Sequence, residues 1–571
     1  MNTAVISDFN ADLFGRILEN TSHAVGKVAS FPFGQVFQSL LSVARGDLTV
    51  LNSDTTGKFQ TDASQPHLEN LIIWTRAESI LPAFQRGLEF QNIDAEKLQE
   101  DVDTVVDLIL ECSPKVKNVF VMSWMMPLGH SGQGMLDYRP QSGLQFALNE
   151  ANNRLSARLS SKTNVYVLNV LNYFLACSGR TSNPKLFYSA KVPFSTDVFK
   201  WAANDISSAI AGLNGKARRV VVLDLDNTLW GGILGDVGIE GIRLGGHDHT
   251  GEAFVDFQRV VKALTNKGIA LAIASKNYES NALAAIKNHP EMILRLEDIS
   301  AWRINWDDKA KNIVEIAQEL NLGLSSFVFI DDNPAERARV AEALPEVLVP
   351  DWPEDPALYK EAFLKLACFN VPSISEEDRT RVTMFAAERT RKQLRESLSH
   401  EEWLATINMS ATVNRLTTSN QSRVTQLINK SNQFNALARK IAEQDLVAWA
   451  AHPGHYCWSF RVADKYGDSG LTGVISAERV GSDMQISDFV MSCRVMGRQL
   501  ENLMLGLVIQ MAAENGASKL YIDFVPTDRN APMRDFLDRS GLKKEGDHYE
   551  WNCVHHYPLP SHIRLIDARN E

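Results

Sequence analysis

The sequence predicts a multidomain α/β protein, and three observations carry that prediction. Short apolar runs bounded by turns alternate with amphipathic stretches along most of the chain, the pattern of strands joined by helices in a layered, largely parallel sheet. The chain has 571 residues, enough for roughly three or four domains. At 44% hydrophobic and 22% charged it has the composition of an ordinary globular protein able to bury several cores.

In chain order, residues 1–215 read as a first α/β domain. NLIIW, VKNVFVMSW and NVYVLNV are strand-like, and KLQEDVDTVVDLILECS and LQFALNEANNRLSARLSS are helical. Residues 216–365 read as a doubly wound sheet: VVVLDLD, a Gly-rich loop, AFVDFQRVVKALTNKG, IALAIAS, DDKAKNIVEIAQELNLG and FVFIDDNP follow one another. Three prolines in PDWPEDP close it near residue 356. Residues 366–571 open with helical SEEDRTRVTMFAAERTRKQL and continue with mixed strands and helices.

Bulk properties exclude some classes. The net charge of −11 and pI near 5.7 argue against nucleic acid as a partner, because a phosphate-binding surface needs clustered cations. The start lacks a basic and an apolar region in signal-peptide order, and no apolar run approaches the roughly 18 residues of a membrane span. The six cysteines are scattered, with no CxxC pair, which fits a reducing cytoplasm.

The most informative stretch is VVVLDLDNTLW, residues 220–230. Residues two apart in a strand face the same side. Asp224 and Asp226 therefore point together into the crevice at the strand's carboxyl end, where open α/β sheets bind ligands. Two close carboxylates want a cation or a proton between them, and a hard oxygen cage suits Mg²⁺. Ser275 then ends a strand, with Asn277 just beyond; Lys309 lies in WDDKAKN, with Lys311 as a competitor; FVFI runs into Asp331 and Asp332.

This ordered set is similar to the haloacid dehalogenase (HAD) phosphatase superfamily. The resemblance implies Asp224 as a nucleophile that forms an aspartyl-phosphate and Asp226 as the acid and base. It implies Thr228, Ser275 and Lys309 as phosphate-binding groups, Asn277 as a substrate-binding residue, and a Mg²⁺ site built from Asp224, the backbone carbonyl of Asp226 and Asp331, with Asp332 as a substitute for Asp331. The stretch after Asp226 carries eight glycines from 231 to 251, too short for a large lid, so bulky substrates would find the site open. His247 and His249 in that loop read as loop or substrate contacts.

Longer blocks narrow the resemblance. DLDNTLWGGILG, LGGHDHTGEAFVDFQ, FIDDNPAERARV, INKSNQFNALARK and MSCRVMGRQLE, in this order, resemble the FkbH-like family, which feeds glycerate-derived units into polyketide biosynthesis. That implies 1,3-bisphosphoglycerate as substrate and the phosphopantetheine thiol of an acyl carrier protein as acceptor. The third domain resembles GNAT acyltransferases. The FkbH-like resemblance implies Cys493, in MSCRVMGRQLE, as a nucleophile where the residues alone would read as a small buried hydrophobe, with Arg494, Gly497, Arg498 and, further on, Asn530 on the pantetheine or substrate side; Gln499 stands where the cofactor loop of GNAT acyltransferases has a small residue. The rival reading is a HAD phosphatase acting on a small or carrier-bound phosphate, with a structural GNAT-like domain. The first domain resembles the SGNH-hydrolase fold, but it has neither a Gly-Asp-Ser nucleophile early nor Asp-x-x-His late, so it reads as a non-catalytic scaffold.

Overall fold

In the computed structural model, the described residues are 2–21, 25–48, 68–140, 142–246, 248–372, 374, 384–385, 399–431, 433–492 and 495–569. They form a mixed α/β protein with three sheets, as the alternation predicts. The expected helix opening the third segment lies mostly outside them, as does His247.

The chain divides into two compact units. One comprises Met1–Arg219 with Gly323–Val328 and Leu344–Ile374; the other comprises Val220–Leu322 with Phe329–Ala343 and Ser375–Glu571. The first unit holds a five-stranded sheet of β1 (Asn2–Ser7), β2 (Lys27–Ser30), β3 (Asn70–Trp74), β4 (Asn118–Met122) and β5 (Val165–Leu168), in the order β2-β1-β3-β4-β5. All its pairings are parallel. The central strand β3 is buried along its whole length.

The sheet that carries the carboxylates contains β6 (Val220–Leu223), β7 (Ala270–Ser275), β8 (Ile299–Ile304) and β9 (Phe327–Ile330), in the order β8-β7-β6-β9. β6, β7 and β9 are continuous apolar runs with every residue buried, as strands covered on both faces must be. β8 escapes the sequence pattern because Ser300 and Arg303 interrupt its apolar run, and Trp302 and Arg303 are only half-buried there.

The third sheet has nine strands: β10 (Ser410–Arg415), β11 (Phe434–Asn435), β12 (His455–Asp464), β13 (Gly467–Val480), β14 (Asp483–Met491), β15 (Lys519–Asp523), β16 (Lys543–Glu545), β17 (His548–Asn552) and β18 (Arg564–Asp567). The long antiparallel run β12-β13-β14 forms its centre. The helix Leu500–Glu514, with ten buried residues, supplies much of its core. β14 and β15 pair in parallel over two positions only, Met484 with Leu520 and Gln485 with Tyr521. Beyond that point β11 lies against β14 instead, Phe434 opposite Met491 and Asn435 opposite Val490.

Candidate active site

Asp224 follows the last residue of β6, and its backbone N–H bonds the Ile330 carbonyl at 3.0 Å, which locks the ends of β6 and β9 together. Asp331 and Asp332 follow β9 directly. The two adjacent strand ends thus bring three carboxylates together: one oxygen each of Asp224, Asp331 and Asp332 lies within 4.8 Å of the others. Lys309, the first residue of the helix Lys309–Leu320, places its ammonium 3.1 Å from Asp224 and 2.6 Å from Asp331. That helix is capped by Asp308, whose carboxylate accepts from the N–H groups of Ala310 and Lys311. Lys309 is only 3% exposed. Lys311, its competitor in the sequence, points to solvent and pairs with Asp307 at 2.9 Å.

The electrostatics follow from that crowding. Burial, then the charge of Asp224, pushes the Asp331 carboxyl up to about 6. Burial and Asp224 also raise Asp332. Burial opposes the charge on Lys309, but the attraction of Asp224 and Asp331 outweighs it and holds the ammonium above its usual range. Two buried acids, Asp224 and Asp331, and the half-buried Asp332 thus share one cation. Oδ1 of Asp224 is buried with no hydrogen-bond partner. A buried oxygen without a donor costs roughly 1–3 kcal/mol, and a hard divalent cation bound by oxygen ligands would satisfy it and offset the excess charge. The cluster therefore fits such an ion.

Asp226 sits beside the cluster, with its carboxylate held separately. Oδ1 accepts from the Trp230 indole at 2.9 Å and the Leu234 N–H at 3.1 Å, and Oδ2 accepts from the Asn277 amide at 3.1 Å. Burial, partly opposed by these bonds, raises its pKa. Such a carboxyl is suited to exchanging a proton. Asn227, in the left-handed region at φ 54°, makes the sharp turn between Asp226 and Thr228. Ser275 ends β7, buried, with its carbonyl bonded by the Asn305 N–H at 3.1 Å.

The structure reassigns several expected contacts. Thr228, expected at the phosphate, turns to Asp332: its hydroxyl accepts from the Asp332 N–H at 3.1 Å and donates to the Asp332 carboxylate at 3.3 Å. It therefore orients a carboxylate of the cluster. Asn277 orients Asp226. The Asp226 side chain is not in the three-carboxylate cluster. The sequence reading missed three supporting residues. Trp230 and Leu234 hold Asp226, and Arg337 donates to the carbonyls of Asp331 and Asp332 at 2.8 and 2.7 Å. Only Trp230 had a visible signal, four residues after Asp226 inside the motif.

In the third sheet, Cys493 and Arg494 lie outside the described residues. Gly497 is exposed, at φ 75°. Arg498 is turned inward: it is 2% exposed and ion-paired with Asp464 at 3.2 Å. This corrects its expected ligand-facing role, because a guanidinium buried against a carboxylate braces the fold. Gln499 caps the helix Leu500–Glu514 at φ 62°, a left-handed conformation that glycine adopts at lower cost. Asn530 is also structural. Its amide donates to the carbonyls of Asn435 and Val525 at 3.0 and 2.9 Å, and its oxygen accepts from the Thr527 N–H. It pins the Phe434–Asn435 segment between β14 and the end of β15, where Ala436 donates to the Phe489 carbonyl and accepts from the Val525 N–H.

The fold and the carboxylate site together define a mixed α/β protein with a cluster of acidic side chains at the strand ends that fits a divalent cation. The chain is similar to a solved structure, the N-terminal part of a Bacteroides fragilis protein containing a phosphatase domain, complexed with Mg. The two are 27% identical, the match covers 65% of this chain and 94% of that one, and the TM-score is 0.56. Solved GNAT structures match about a quarter of the chain. An acetyltransferase from Staphylococcus aureus is 13% identical over 25% of this chain and 99% of its own, with TM-score 0.21. Spermidine N-acetyltransferase from Vibrio cholerae is 10% identical over 25% and 96%, also at 0.21. No protein-family model matches the chain, and no curated protein does.

Proposed function

We propose that the chain is a Mg²⁺-dependent phosphomonoester phosphatase working through an aspartyl-phosphate. The observation that carries this reading is Asp224, whose buried Oδ1 has no partner while Lys309, Asp331 and Asp332 crowd around it. The Asp224 carboxylate attacks phosphorus and the ester oxygen leaves. Asp226, protonated, gives that oxygen its proton; as a carboxylate it then takes one from the water that attacks the aspartyl-phosphate. Ser275 and Lys309 hold the phosphoryl oxygens. Asp224, Asp331 and Asp332 would hold Mg²⁺, whose positive charge would let a phosphate dianion approach the carboxylates. The Mg-bound neighbour supports this choice of ion.

The finer reading follows the FkbH-like resemblance. Cys493 attacks C1 of 1,3-bisphosphoglycerate and expels phosphate, which leaves a 3-phosphoglyceryl thioester. Asp224 removes the 3-phosphate, and the glyceryl group passes to the phosphopantetheine thiol of an acyl carrier protein. The rival, a phosphatase with a structural third sheet, gains support from the chain's own Phe434–Asn435 segment beside β14 and from the inward-facing Arg498.

Intact-protein mass spectrometry separates them. Incubation with 1,3-bisphosphoglycerate and Mg²⁺ should add a glyceryl or phosphoglyceryl mass that hydroxylamine removes. The adduct should vanish in Cys493→Ala and persist in phosphorylated form in Asp224→Asn. No adduct on the wild-type chain would favour the rival. Undiminished phosphatase activity in Asp224→Asn would contradict both.

A further inference from the structure

The parallel strands of the first sheet end on one side, and a cleft of about 300 Å³ opens across three of those ends. Trp74 closes β3, Ser123 follows β4 and Val170 lies just beyond β5, and all three line it. This is the edge at which open parallel sheets take ligands, and the volume is that of a small-molecule site. Without Gly-Asp-Ser or Asp-x-x-His in this domain, the cleft is equipped to bind rather than to hydrolyse.

The walls are carbon-rich. The buried rings of Trp74 and Phe194, stacked with centroids 5.3 Å apart, line the cleft, as do Met125 and Met126. Phe187 and Tyr188 come from the helix Pro184–Ala190, and Tyr188, 75% exposed, stands at the mouth. Aromatic faces attract cations as well as hydrocarbon, and methionine adapts to irregular shapes.

Arg76 and Glu78 supply the charge. Every nitrogen of the guanidinium is engaged: Nε donates to Asp8 at 2.8 Å, Nη2 donates to Ser79 at 3.0 Å, and Nη1 lies 3.3 Å from Glu78. Its flat face covers the Phe187 ring at 5.0 Å. An anionic ligand would have to displace these partners and meet Glu78. Lys191, which lies over Phe187 at 5.5 Å, does not line the cleft. Two carboxylates thus share one guanidinium, and Asp8 takes the better half. It accepts from the Arg76 backbone N–H at 2.9 Å and from Nε at 2.8 Å, whereas Glu78 has the single longer contact. Burial pushes the Glu78 carboxyl above its usual range, Arg76 opposes that, and the charge of Asp8 adds to it. A largely buried carboxylate with half a partner gains from a second cation.

We propose that this cleft binds a small organic amine, with its ammonium against Glu78 and its carbon body against Tyr188, Phe187 and the two methionines. The site lies within the first unit and does not depend on the phosphatase reading.

The test is calorimetric titration of the full chain with tryptamine and with hexylamine, each compared with the acid of the same carbon body, indole-3-propionate and heptanoate. At least one amine should bind about tenfold or more tighter than its matched acid. Glu78→Gln should weaken that amine about tenfold and leave the acid no weaker. Tyr188→Ala, at an exposed position, should weaken the amine about three- to tenfold, and Tyr188→Phe should recover most of the loss. Thermal melts confirm that each variant is folded, and phosphate release should stay at the wild-type rate in all of them. Failure of both amines to bind at millimolar concentration would overturn the inference. So would equal affinity for amine and acid, or an amine affinity that neither Glu78→Gln nor Tyr188→Ala changes. Each of these results would leave the phosphatase reading standing.

Discussion

Replacing Asp331 by asparagine tests the central claim that the carboxylate cluster is built for a cation. Asp331 is fully buried, 2.6 Å from Lys309 and within 4.8 Å of the Asp224 and Asp332 oxygens. Two unit charges 4.8 Å apart repel by about 3 kcal/mol at an effective dielectric near 20. The titration of Asp331 gives a similar figure. Moving a carboxyl from 3.8 to about 6 disfavours its charged form by about 3 kcal/mol, and that is net of the attraction to Lys309. The sign follows from linkage. Because the folded state holds this proton more tightly than the unfolded state, the metal-free fold is relatively stabilised as pH falls from about 6 towards 3.8. Above pH 6 it carries the full repulsion. Asparagine mimics the protonated acid. Metal-free Asp331→Asn should therefore melt several degrees higher than wild type at pH 7.5, and the gain should shrink at pH 5. Mg²⁺ should reverse the order. At a hundred times its Kd it stabilises the wild type by about 2.7 kcal/mol and the variant by far less. Thermal melts with chelator and with Mg²⁺, at both pH values, decide the matter. A variant that melts lower than wild type without metal, or that keeps the full Mg²⁺ shift, would refute the reasoning.

Three further outcomes are expected. Thr228→Val should weaken Mg²⁺ binding about 10–100-fold, measured by calorimetric titration, because its hydroxyl orients Asp332; a phosphate-binding threonine would instead alter KM at saturating Mg²⁺. Asp226→Asn should cut turnover of alkyl phosphates about 10²–10⁴-fold, while acetyl phosphate, whose leaving group needs no proton, should still phosphorylate Asp224 in a mass-spectrometric assay. Arg498→Met should destabilise the third-sheet region by about 3–5 kcal/mol in denaturant unfolding, since it removes the guanidinium that faces the buried Asp464 carboxylate; a loss confined to ligand affinity would restore Arg498 as a binding residue.

The local rules of the chain made much of this legible. Continuous apolar runs marked the buried strands β6, β7 and β9, and the order of Asp224, Ser275, Lys309 and Asp331 placed the reactive end of the sheet. These signals are short-range: a strand's period and the residue at its end are written in neighbouring positions. β8 was missed because Ser300 and Arg303 break its apolar run, and β11 because two residues have no period. Only the tertiary structure decided how each polar side chain is used. Thr228 meets Asp332 across 104 residues, Asn530 meets Asn435 across 95, and Arg498 meets Asp464 across 34. Each reads as a ligand contact beside its own motif and becomes a brace once its distant partner is known. A buried polar group must find a partner, and which one it finds depends on the fold that brings remote segments together.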